Sequence, residues 1–175
     1  MLLLPALLLL PRIDAFFSAT MPRKALVESL LLLLWGWAAS RLCPGRRMAS
    51  HAPSAVAAGT LLFLFWMIPR SIDLTQIYSG ANALYVISFF AAGFLLSHYF
   101  SLLPGVARVA YALYVSSMIA ALGLLYASQS TLLCSAYTLE DQHALGLMLV
   151  PLGFFAYLLV LASMTRWLVP ASESR

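Results

Sequence analysis

Five long apolar stretches divide the chain, most of them closed by proline, glycine or a cluster of charge. The first covers residues 24–42. Thr20 offers it a cap, and Pro22 sits near its first turn, where the missing N–H is tolerated. Arg41, Cys43-Pro44-Gly45 and Arg46-Arg47 close it. The second, residues 54–68, is short and ends at Pro69-Arg70, a helix stop. The third, 79–101, runs to Pro104-Gly105; the fourth is 106–128. The fifth, 139–169, carries Arg166, Trp167 and Pro170 at its end. At 1.5 Å per residue it would be about 45 Å long, enough to protrude from a hydrocarbon core of roughly 30 Å. This pattern predicts an all-α integral membrane protein with about five transmembrane helices, residues 1–175 forming one helical domain.

The opening "MLLLPALLLLPRIDA" is a smaller problem. Its apolar run, residues 2–10, is too short for a span, which takes about 20 residues. It also lacks the basic start of a cleaved leader. We read it as a half-membrane or interfacial segment packed against a partner.

Composition supports the membrane assignment. The chain is 63% hydrophobic and 9% charged, with a mean hydropathy of +0.93, where a soluble domain carries about a quarter charged residues. The six acids (Asp14, Glu28, Asp73, Glu140, Asp141 and Glu173) avoid the middle of every apolar stretch, unlike the ionisable groups of an ion pathway. The net charge of +4 comes from basic residues at segment ends. They read as topology signals and not as a nucleic-acid surface. Arg12, Arg23, Lys24 and Arg70 fall on one side of a five-span chain. Arg41, Arg46, Arg47, Arg108, Arg166 and Arg175 fall on the other. The positive-inside rule then places the N-terminus outside and the C-terminus in the cytoplasm, with Cys43 and Cys134 facing opposite compartments and unable to pair.

Two stretches echo each other, "ALYVISFFAAG" (83–93) and "ALYVSSMIAALG" (112–123). Shared membrane-helix composition explains the echo better than a repeat does. Ser117 and Ala121, or Gly123 and Ala127, have the small-xxx-small spacing that lets helices approach closely.

Three places carry candidate chemistry. In "YTLEDQHALGLMLVPLG" (137–153), Thr138 followed by Asp141 is a capping-box spacing. Glu140 and Asp141 lie where a helix dipole favours negative charge. His143 could ligate a metal but has no second His or Cys one turn away. Pro151 interrupts the same helix and should kink it. In "FWMIPRSIDL" (65–74), Trp66 suits an interfacial anchor, and Arg70 and Asp73 could pair across one helical turn in an external loop. In "FSATMPRKALVESLLLLLWGW" (16–37), Lys24 and Glu28 stand four apart on one helix face, with no further polar residue visibly converging on them. His51, His98 and His143 are scattered over both sides and cannot form one cluster, which argues against a haem or copper site made of them alone.

In order along the chain, "SATMPRK" (18–24), "WMIP" (66–69) and "DQHALG" (141–146) resemble motifs of the CtaG-type assembly factors of cytochrome c oxidase. The resemblance implies a multi-span fold and a link to copper insertion. Where that family has two histidines, this chain has Thr20 and Lys24. Met21 remains, but one thioether is a poor copper site and an ammonium beside it opposes a cation.

The resulting expectation is a non-catalytic accessory subunit in a bacterial plasma membrane. It would belong to a respiratory complex, a cytochrome c oxidase or another membrane metalloenzyme. Its partners would be other membrane subunits and phospholipid. It would hold no cofactor of its own, and copper or haem would reach it only through partners. The alternative is a divergent copper-handling assembly factor using Met21, Cys134 or His143.

Overall fold

The computed structural model describes residue 5, residues 7–43 and residues 48–168, with side chains to residue 164. The expected closure of the first span at residues 44–47 and the Pro170 stop lie outside the described residues, as do residues 2–4 and 6 of the segment 2–10. Every regular element among the described residues is helical. Five helices are long and apolar enough to cross a membrane: Arg23–Leu42 (α2), Ala49–Met67 (with α3 proper at Ala52–Met67), Ser79–Leu102 (α5 at Ser79–Tyr99), Gly105–Ser128 (α6) and Leu139–Met164 within Leu139–Leu168 (α7). Two short helices accompany them, α1 at Pro11–Ser18 and α4 at Pro69–Ile77.

The starts and stops follow local chemistry. Proline fixes φ near the helical value and lacks only an N–H that the first turn leaves unpaired anyway. It opens α1, α3 and α4 in this way. Ile68, just before Pro69, is extended (φ −70°, ψ 128°), as the ring of a following proline requires. Residues 69–77, expected as a loop, therefore form a helix packed beneath α3 and α5. Pro151 lies inside α7, and helical structure continues through it from Leu139 to Leu168.

Helix α5 is the hub, touching α2, α3 and α4, while α6 and α7 form a second, closely packed pair. Both contacts depend on glycine. A Cβ on Gly93 would run into the Leu33 backbone, lying 2.7 Å from its Cα. One on Gly123 would lie 2.6 Å from the Val150 nitrogen. Each of these glycines closes one of the two echoed stretches, so the echo marks two close crossings. Ala127 faces Gly146 in the second of them. Ser117 and Ala121, by contrast, stay exposed.

The core has two main parts. Leu8, Phe17, Leu32, Trp66, Tyr85 and Phe89 fill one. Leu8 thus ties the N-terminal apolar segment into the bundle. Trp66 is only 4% exposed and edge-on to Tyr85 at 5.5 Å. It is an interior packing residue and not the interfacial anchor its position suggested. Met21, Ile72, Tyr126, Cys134, Tyr137 and Leu145 fill the second part, under the loop joining α6 to α7.

Candidate functional site

The first turns of α2 are wound as a π-helix, Arg23–Glu28, a rare geometry that recurs at functional sites. Side-chain hydroxyls bond to three of its carbonyls. The Tyr85 hydroxyl donates to the Lys24 carbonyl at 2.7 Å. The Ser29 hydroxyl donates to those of Ala25 and Leu26, at 2.6 and 3.1 Å.

Lys24 and Glu28 both point inward from this turn and are fully buried. The Lys24 ammonium donates to Asn82 Oδ1 at 2.8 Å and to Asp14 Oδ1 at 3.0 Å. Its Nζ also stands 2.9 Å from Glu28 Oε2. The amide of Asn82 donates back to Asp14 at 3.0 Å, and Ser18 donates to the same carboxylate oxygen. One ammonium thus holds two carboxylates and an amide drawn from α1, α2 and α5. Glu28 Oε1 accepts no hydrogen bond among the described residues. The convergence that the sequence did not reveal is present, and it brings a carboxylate inside a spanning helix.

A second polar set lies on the same face of the membrane. Asp73 is 1% exposed and does not meet Arg70, which is exposed. One helical turn does form there, but it carries the carboxylate toward the α6–α7 loop. Asp73 Oδ2 accepts from the Ser135 backbone N–H at 2.8 Å and its hydroxyl at 3.0 Å; Oδ1 accepts from the Ala136 N–H at 3.1 Å. Gln142, also 1% exposed, holds the other half of that loop. It accepts from the Leu133 N–H and donates to the Thr131 carbonyl.

The remaining candidates fall around this loop. Thr138 and Asp141 bond reciprocally at the start of α7: the Asp141 N–H donates to Thr138 Oγ1 at 3.1 Å, and that hydroxyl donates to Asp141 Oδ2 at 3.0 Å. Nε2 of His143 lies 2.9 Å from the Gln129 carbonyl. Met21 is wholly buried beside Tyr126, Cys134 and Leu145. Cys134 donates its S–H to the Pro69 carbonyl at 3.4 Å. Its thiol is pushed up to about 12 by burial and by the Asp73 carboxylate. Burial, with the nearby Cys134, also raises Tyr137.

Two sulfurs, of Met21 and Cys134, therefore share one apolar cluster, with the Cys134 S–H turned to the Pro69 carbonyl and the His143 ring turned to the Gln129 carbonyl. No group of three or more His, Cys, Asp or Glu among the described residues is arranged to hold a metal ion.

Asp14, Asn82, Tyr85, Tyr126 and Gln142 were not singled out by sequence. The available signal was Asn82 and Tyr85, polar groups three apart in an otherwise apolar span and hence on one face. No family model, curated protein or solved structure matches the chain.

Proposed function

We propose that this chain is a non-catalytic accessory subunit of a bacterial respiratory membrane complex of the haem–copper oxidase kind. Its N-terminus would be outside and its C-terminus in the cytoplasm. The single observation that carries the reading is the direction of its buried polar groups. Lys24, Asp14, Asn82, Asp73 and Gln142 all bind other parts of the same chain, so their work is to fix its own N-terminal segment and loops.

The spans meanwhile turn large apolar groups outward. On α7 these include Leu147, Phe154, Phe155 and Leu158, each about 60% exposed or more. Such surfaces suit lipid or the helices of a neighbour, where close packing and not water exclusion drives association. The choice of host rests on the resemblance to CtaG-type factors. Haem or copper would belong to the partner subunits. The alternative role in copper handling draws on Met21 and Cys134 lying in one cluster.

The test separates assembly from turnover. Asp73→Ala and Lys24→Met should lower the amount of oxidase assembled in host membranes while leaving turnover per assembled haem unchanged. Normal assembly with reduced turnover would contradict the proposal.

A further inference from the structure

A lateral groove of about 660 Å³ opens between α2, α5 and α6. Its long wall runs along α2 from Leu30 to Arg41, with Leu96 and Tyr111 opposite. That stretch of helix is about 16 Å long at roughly 1.5 Å per residue, and one leaflet of the hydrocarbon core is about 15 Å deep. The groove is therefore one leaflet long.

Its two ends differ. At the membrane face the lining includes Arg41, Ser97 and Ser101. The Arg41 guanidinium is exposed and lies 5.2 Å from the centre of the Trp37 ring. It has no carboxylate partner among the described residues. Asp14, Asp73, Glu140 and Asp141 all lie at the opposite face, where α2, α5 and α7 begin. Arg108 starts α6 at the same face as Arg41, and its Nε is buried without a hydrogen-bond partner. At mid-membrane the groove shares Leu30, Leu33, Leu96 and Tyr111 with an inner cavity of about 170 Å³, whose far wall includes Phe63 and Leu152.

We infer that this groove binds one anionic glycerophospholipid. The phosphate would sit on Arg41, with the Ser101 hydroxyl as a further donor; the Ser97 hydroxyl donates to Ser40 Oγ, which in turn donates to the Trp37 carbonyl. One acyl chain would lie along Leu34 and Leu30, its tip entering the inner cavity. Charge complementarity selects the headgroup, since basic pockets between spanning helices take anionic lipid heads. The leaflet-length groove selects a lipid over a soluble phosphate. The inference stands apart from the subunit reading, because it concerns this chain alone.

Native mass spectrometry of the full chain in mild detergent tests it, with phosphatidylglycerol and phosphatidylcholine of identical acyl chains as probes. The wild type should retain one phosphatidylglycerol about fivefold more tightly than phosphatidylcholine, the effect of one basic side chain near a lipid phosphate. Arg41→Gln should abolish that preference, while Arg70→Gln, at the other face, should keep it. Leu34→Trp, which fills an exposed part of the groove, should weaken retention of both lipids. Equal retention of the two lipids by the wild type would overturn the inference. So would a preference that survives Arg41→Gln, or full retention by Leu34→Trp.

Discussion

Asp73 and Ser135 meet across 62 residues of chain, the carboxylate of one accepting both the backbone N–H and the hydroxyl of the other. With the third bond from Ala136, this contact fastens the α6–α7 loop to α4. Asp73→Ala would remove the acceptor of the Ser135 and Ala136 N–H groups, which sit on an exposed loop, at a cost of about 1 kcal/mol per lost hydrogen bond. Thermal unfolding in detergent should show a lowered midpoint. Asp73→Asn, which keeps one acceptor oxygen, should lose less.

Cys134 reports on the same contact. In a Cys43→Ser background, alkylation of the native protein at pH 8 should be very slow, since a thiol at about 12 is thiolate to only on the order of one part in ten thousand. The rate should climb about tenfold per pH unit, and Asp73→Ala should accelerate it by opening the loop. The sign for stability follows from the raised thiol value. The fold favours the protonated form, so this contribution is complete below the ordinary 9.0 and is lost as pH rises towards 12. Urea unfolding in detergent at pH 7 and pH 10 should give the higher stability at pH 7.

Lys24→Met should be among the most damaging single changes. It strands the buried Glu28 carboxylate and removes a donor from Asp14 and Asn82. Breaking a buried pair from one side costs about 3–5 kcal/mol. Lys24→Met with Glu28→Leu should recover most of that loss, because no uncompensated charge then remains inside α2. A double-mutant cycle on unfolding free energies measures the coupling. Simple additivity of the two substitutions would show that the pair is not coupled.

Gly93→Val should disrupt the α2–α5 crossing, where even one carbon collides with the Leu33 backbone. Backbone cannot yield as a side-chain tip does, so the helices must separate. A fall in the yield of monodisperse protein on size exclusion, beside an unaffected Gly80→Ala control with open space around its Cα, is the expected result.

His143→Ala removes one contact to the Gln129 carbonyl. A single hydrogen bond at a partly buried site contributes about 1 kcal/mol. Oxidase activity of host membranes should therefore stay near the wild-type level; complete loss with normal assembly would assign His143 a chemical role.

The membrane helices were legible because their signals are local. Apolar length sets a span, and prolines at 53, 69 and 104 set its limits, so the predicted and observed bounds differ by only a few residues. The capping pair Thr138–Asp141 was legible for the same reason, both members lying within one turn. The ionic site was not. Its members come from residues 14, 24, 28 and 82, and only the packing of α1 and α5 against α2 brings them together. The π-turn that aims Lys24 and Glu28 inward has no residue signature of its own. Arg70 and Asp73 misled for a related reason: their spacing permits an ion pair, but α4 packs with Asp73 inward and the loop at 134–136 takes its carboxylate. Trp66 likewise has the composition of an anchor and the burial of a core residue, and only its neighbours Tyr85 and Phe65 decide between them.

The central claim is that this chain acts by joining a larger membrane enzyme. The most direct measurement is purification of the tagged chain from native membranes in mild detergent, with mass spectrometry of everything that co-migrates with it. The account predicts a fixed stoichiometric ratio to a catalytic metalloenzyme of the respiratory chain. Recovery of the chain alone, or with only substoichiometric traces of immature oxidase, would contradict it.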